Sequence, residues 1–173
     1  MGLSKALTDP NIRKHLLRDE GEVIVDEVMH HWIVYTLPVL EVLLAVGLLV
    51  VFPFIDLDLA WFPFLLAFVI LGHAAWKTLA YFRDRFVITN MRVFRVHGVL
   101  SQNLATMPLS RILDITVVKP FQGRIIGYGH FVFESAAQEQ GLRDIRFVGH
   151  PDQRDLSIQR VVQRSGLRGP KVN

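Results

Sequence analysis

The spacing of apolar positions changes several times along the chain, and each change predicts a different element. Between Asp9-Pro10 and Gly21, Ile12, Leu16 and Leu17 recur at helical spacing. An Asp cap, a proline at the first helical position and a glycine past the end punctuate a short helix over 11–20. With Arg13, Lys14 and Arg18 beside it, its apolar face suits either a membrane surface or the flank of a folded domain. Over 22–29 the β-branched alternation of Val23 and Val25 predicts a strand. Residues 32–55 then form an apolar run whose only formal charge is Glu41, and a second run over 59–80 is interrupted by His73 and carries Lys77 near its end. Beyond it the period falls to two. Short β-rich runs are expected at 85–89, 92–97, 99–106, 112–119, 130–135 and 143–148, with turns at 90–91, 98, 120–129 and 138–141. After Pro151-Asp152, the spacing of Leu156, Ile158, Val161 and Val162 predicts one closing helix that ends before Gly166.

At about 1.5 Å rise per residue, each apolar run is long enough to cross a hydrocarbon core of about 30 Å. Two such runs in a chain of 173 residues leave too little protein to bury them in a soluble core. They begin too late, and run too long, for a cleaved signal peptide. Glu41 does not veto insertion. Sixteen Leu, Ile, Val and Phe residues over 33–55, each worth roughly −0.3 to −0.6 kcal/mol, outweigh one acidic group at roughly +2.5 to +3.5 kcal/mol. The link between the runs holds Asp56 and Asp58 but no Lys or Arg, whereas Lys77, Arg83, Arg85, Arg92 and Arg95 follow the second run. Under the positive-inside rule the link faces outward and both termini are cytoplasmic, with Trp32 and Tyr81 at the inner interface and Trp61 near the outer one. Folding the hairpin about residues 56–57 brings Glu41 and His73 to similar depth, a candidate intramembrane polar pair; contact with water or with a neighbouring subunit is the alternative. Pro38, in the first turns of the first run, is expected to kink that helix or free a carbonyl. The resulting organisation is an N-terminal segment over 1–31, a two-helix hairpin over 32–81, a compact domain over 82–165 and a polar tail over 166–173.

Apolar residues make up 51% of the chain and the mean hydropathy is +0.32, but this excess is concentrated in the two runs. Cysteine is absent, which excludes disulfides, thiolate metal sites and Cys nucleophiles. A net charge of +3, largely interleaved with acidic residues, gives no reason to expect nucleic acid as a partner. His30-His31, His97, His130 and His150 have no metal-ligand spacing, and neither Ser110 nor Ser135 lies in a nucleophile elbow. The glycines of 123–129 fit neither the dinucleotide fingerprint nor the Walker loop. No catalytic residue, cofactor or metal site is therefore expected. The basic group Lys77, Arg83, Arg85, Arg92 and Arg95 starts at the inner interface, where anionic headgroups attract each nearby cation by about 1 kcal/mol. It is a candidate lipid-headgroup contact; the alternative is that it only sets topology and solvates strand faces.

The motifs 81–90 (Tyr81-Phe82-Arg83-Asp84-Arg85-Phe86-Val87-Ile88-Thr89-Asn90), Arg92, Gly98-Val99-Leu100, Pro108-Leu109-Ser110-Arg111-Ile112 and Gly127-Tyr128-Gly129 occur in that order behind a hairpin. In this the chain resembles the bacterial PH-like domain family of membrane proteins. The resemblance implies an α+β membrane protein: a transmembrane helical hairpin plus a bent antiparallel sheet of pleckstrin-homology type, capped by a C-terminal helix. It implies fold and location more than activity, because such domains are binding scaffolds for unrelated ligands. The expected function is a non-enzymatic scaffold of the bacterial cytoplasmic membrane, multi-pass, whose domain contacts membrane lipids, a protein partner or, in a homo-oligomer, itself. The alternative is an accessory subunit of a membrane transport or envelope-lipid enzyme complex.

Overall fold

The computed structural model describes residues 12–135 and 142–164. The helix start expected at Asp9-Pro10, the turn expected over 138–141 and the tail expected over 166–173 lie outside them. The chain forms two compact units. Trp32–Tyr81 is one, and the other is drawn from both sides of it, up to His31 and from Phe82 onward.

In the first unit, helix α1 (Thr36–Val51) follows a 3-10 turn at Trp32–Tyr35, and helix α2 (Leu57–Arg83) runs on beyond the unit. Pro38 is the third residue of α1, where no helical carbonyl awaits its missing N–H. The α-helix runs through it to Val51. The proline inside a helix is instead Pro63 of α2. A 3-10 turn at Phe52–Phe54 ends the first run, and the Asp56 carbonyl accepts the amides of Leu59 and Ala60 at 2.9 and 3.0 Å to start the second. Ala60, Ala67 and Ala74 recur every seven residues along α2 and are all buried, as is Ala45 of α1. That spacing keeps one face toward a partner helix, and small side chains there permit close approach. The large apolar residues lie on the outside: Leu43 is 62% exposed and Trp61 61%. A soluble amphipathic pair has the opposite polarity. Both helices are long and apolar enough to cross a membrane by length and composition.

The second unit is a two-sheet β structure. Strands β1 (Ile24–Val28), β2 (Arg85–Thr89), β3 (Arg92–His97) and β4 (Asn103–Pro108) pair antiparallel in chain order. After a 3-10 corner at Leu109–Arg111, β5 (Ile112–Val118), β6 (Tyr128–Ser135) and β7 (Asp144–Gly149) form the other antiparallel sheet. The expected strand over 99–106 is displaced to Asn103–Pro108. Gly98, at φ 111°, turns the chain so tightly that a Cβ would collide with the Ser101 carbonyl, and the ladder resumes only afterwards. The turn expected over 120–129 contains a short helix, α3 (Phe121–Ile126), which Gly127 ends at φ 88°. Helix α4 (Pro151–Arg164) closes the fold as expected.

β2 is buried along its whole length, which its Phe86-Val87-Ile88 run anticipates. Phe86 and Ile88 face the core between the sheets, with Met107, Phe131, Phe133, Ile145 and, from α4, Ile158, Val161 and Val162. Val87 lies in a second cluster with Phe94 and Val96, covered by Ile12, Leu16 and Ile24. The N-terminal segment therefore covers the outer face of the first sheet. Within it the expected helix is replaced by 3-10 turns at Ile12–His15 and Arg18–Glu20, since a continuous helix would not follow the sheet into β1. Fully burying each of these apolar side chains is worth about 1.5–3 kcal/mol.

Two polar clusters join β1 to the strands on the far side of the hairpin. Glu22, 5% exposed, accepts from Arg92 Nε and Nη2 at 2.8 and 3.0 Å and from Thr89 Oγ1 at 2.8 Å. Asp84 accepts from Arg95 at 2.7 and 2.5 Å and hydrogen-bonds His30 Nε2 at 2.9 Å. Burial alone raises the pKa of both carboxyls, but the guanidinium hydrogen bonds and charges outweigh it, with Asp84 well below its ordinary value. Arg154 of α4 binds Asp26 of β1, and the β1 end is bridged to β7 by His30 and Val148.

Arg92→Ala leaves Glu22 buried without its cation and is expected to cost about 3–5 kcal/mol, read as a lowered urea midpoint of the full chain in detergent. Because Asp84 has a depressed pKa in the fold, its stabilisation is present above its ordinary carboxylate value, 3.8, and is lost as the pH falls below it. Asp84→Asn is therefore expected to be less stable at neutral pH and to show a shallower loss of stability below about pH 4; a profile parallel to the parent's contradicts that assignment.

Candidate functional site

In the hairpin, Glu41 Oε2 and His73 Nδ1 stand 2.9 Å apart, one on each helix. The carboxylate side chain is 18% exposed and the imidazole 54%. The two side chains thus satisfy each other within one chain.

The basic group is disposed differently from a free cationic patch. Arg92 and Arg95 are held by Glu22 and Asp84. Arg85 is 8% exposed, donates from Nε to the Phe82 carbonyl at 3.1 Å, lies over the Phe82 ring and has Glu27 at 3.7 Å. Arg83 is 6% exposed and donates from Nη1 to the Val99 carbonyl at 2.6 Å. The expectation of headgroup-facing arginines meets a physical obstacle here: each of the four already hydrogen-bonds the protein's own acceptors. Lys77 lies on α2 in the hairpin unit. The acidic partner of Arg92, Glu22, lies 70 residues away in the sequence, whereas that of Arg95, Asp84, lies only 11 away.

His30, His31, His130 and His150 converge where β6 and β7 meet the end of β1, whereas His97 ends β3 opposite Asn103. Tyr128 has the rings of His31 and His130 each 5.8 Å away, and Phe147 crosses His130 edge-on at 5.0 Å. Phe147, at φ 56°, presents its carbonyl to the His31 amide at 2.6 Å, and its own amide donates to His130 Nδ1 at 3.0 Å. Burial, then the neighbouring charges of His150 and Arg146, lowers the pKa of His31 and His130 respectively. A neutral His130 accepting at Nδ1 agrees with that shift. Among the described residues no group of three or more His, Cys, Asp or Glu is arranged to hold a metal.

A groove of about 400 Å³ opens between β1, the β2–β3 turn and α4, lined by Val25, Asn90, Ser157, Arg160, Val161 and Arg164. Val25 stands in a bulge, where the β1–β2 register shifts between Ile24 and Asp26, and its side chain is exposed. Asn90 braces the turn, accepting the Val23 amide at 2.9 Å and donating to the Gly21 carbonyl at 3.2 Å. Arg160 and Arg164, four residues apart on one helical face, make no ion pair with the described residues. An apolar floor with two such cations suits an anionic ligand that also carries an apolar group. Only the α4 spacing of Arg160 and Arg164 was visible in the sequence; their opposite wall was not.

Neither a curated protein nor a solved structure gives a match to the chain. The family model described as "Bacterial PH domain" matches residues 33–166, taking in α1 through α4. That span exceeds half the chain and contains both sheets except β1, so the chain belongs to the bacterial PH domain family.

Proposed function

We propose that this chain is a membrane-anchored, non-enzymatic binding scaffold, its hairpin crossing the bacterial cytoplasmic membrane and its PH-like domain facing the cytoplasm. One observation carries the anchor: α1 and α2 bury alanines and expose leucine, valine, phenylalanine and tryptophan. In water that arrangement exposes apolar surface worth about 25 cal/mol per Å² along two whole helices, whereas lipid tails solvate it without cost. The acidic link and the basic segment after α2 support an outward-facing link and cytoplasmic termini. The family supports a binding or scaffold role in general. Membrane lipids, a protein partner or a second copy of the chain are the contacts we propose for the domain, with the Arg160 and Arg164 groove as its anion-selective surface. The accessory-subunit alternative has Glu41 and His73 turned toward another protein's helices; their mutual hydrogen bond weakens the need for such a partner.

The chain has no native cysteine, so single cysteines report topology directly. Asp56→Cys is expected to react with a membrane-impermeant maleimide added outside intact cells, and Gln163→Cys only after the membrane is opened. The protein is expected to stay with membranes through alkaline extraction. Release by alkali, or labelling of position 56 only from the cytoplasmic side, overturns the proposal.

A further inference from the structure

The strand registers of the β unit bring one set of connections to a single end. β1 runs toward His30 and β2 starts at Arg85, so the chain leaves for the hairpin and returns from it at that end. β3 finishes there and β4 begins there, with the turn of 98–102 between them. The His30–Val148 bridge, the Tyr128–Gly149 pair and the Val118–His130 pair place the β5–β6 connection, α3, at the same end. The three most exposed large apolar side chains described in this unit all lie on these two connections: Leu100 at 87%, Phe121 at 78% and Ile125 at 72%. Phe121 and Ile125 are four residues apart and share a face of α3. Arg124, exposed between them, makes no ion pair with the described residues. Lys119, just before the helix, is held by Asp152.

Isolated exposed apolar residues are ordinary on any protein surface. Concentration of the largest exposures at one end is not, and this is the end through which the chain enters two helices of membrane-spanning length. We infer that Leu100, Phe121 and Ile125 form an apolar tip that enters the interfacial layer of an anionic bilayer, with Arg124 on the lipid headgroups. This inference rests on the membrane reading of the hairpin. Charge complementarity favours lipid over an unspecified protein surface, since a cation flanked by apolar groups matches the boundary between headgroups and acyl chains, reached about 5–10 Å below the surface. The contact also gives the membrane a role for cations that Arg83, Arg85, Arg92 and Arg95, bound to the protein itself, do not fill.

The test uses the full chain in vesicles of phosphatidylcholine and phosphatidylglycerol, with an environment-sensitive fluorophore on single cysteines introduced by Leu100→Cys, Phe121→Cys, Ile125→Cys, Leu65→Cys and Gln163→Cys. All five side chains are exposed. Lipids carrying nitroxide near the headgroup are expected to quench labels at 100, 121 and 125 and to leave the label at 163 bright. Lipids carrying nitroxide deep in the acyl chain are expected to quench the label at 65. If position 65 is quenched while 100, 121 and 125 behave like 163, the inference is wrong and the anchor stands. If position 65 escapes quenching as well, the anchor fails and the inference with it. Blue-shifted labels at 100, 121 and 125 that no lipid nitroxide quenches, and that depend on protein density, indicate a second copy as the occupant and overturn the lipid assignment.

Discussion

The β domain depends on an antiparallel pairing made across an insertion. β1 ends at Val28 and β2 begins at Arg85, and the intervening hairpin must leave and return without opening the ladder. Closing a flexible loop of this length costs about 3–4 kcal/mol on the logarithmic scale of chain closure. Helical order in the hairpin shortens the flexible part. At the two ends of β1, Glu22 clasps Arg92 and Thr89, and His30 joins Asp84, itself bound to Arg95. Glu22 is buried and Asp84 partly so, so each cluster must remain complete: a missing partner costs more than the intact pair contributes. The pairs contribute chiefly to register, holding the strand before the insertion opposite the strand after it.

From this arrangement follows a division of environments. The β unit buries its apolar residues between two sheets and beneath α4, with a further cluster under the N-terminal turns. The hairpin unit buries alanines and exposes its large side chains. A single chain carrying both polarities suits two solvents, which is the physical content of the proposed anchor. Inserting the hairpin within the sheet, rather than appending it at a chain end, ties the β domain to it by two covalent connections. That leaves the domain less freedom than a single linker would allow.

The two surfaces proposed for binding follow from backbone irregularities. The groove exists because a bulge at Val25 turns a β1 side chain outward opposite α4, and because Asn90 holds the β2–β3 turn beside it. The apolar tip exists because Gly98 and Gly127 permit sharp reversals that carry Leu100 and α3 clear of the sheet. Interrupted ladders thus supply the surfaces proposed for binding, while the regular strands between them form the core.

Much of the architecture was legible in the local pattern. The two apolar runs, the change to period two, the glycine and asparagine turns and the amphipathic spacing of α4 each reflect a force acting within a few residues. The approach of Glu41 to His73 was legible for the same reason, since both are counted from one bend. The seven-residue recurrence of Ala60, Ala67 and Ala74 was present as a signal, although it gained meaning only once burial identified the seam. What the sequence could not disclose were long-range partners. Glu22 binds a cation 70 residues away, β1 belongs to a domain that resumes beyond the hairpin, and Val25 faces a groove whose arginines come from α4. Arg92 looked free because local sequence reports a charge but not the buried carboxylate, Glu22, that pairs with it from 70 residues away. The physical reason is common to all of these: periodicity and turn chemistry are set by neighbours along the chain, whereas pairing of buried charges and closure of a groove depend on distances that only tertiary packing determines.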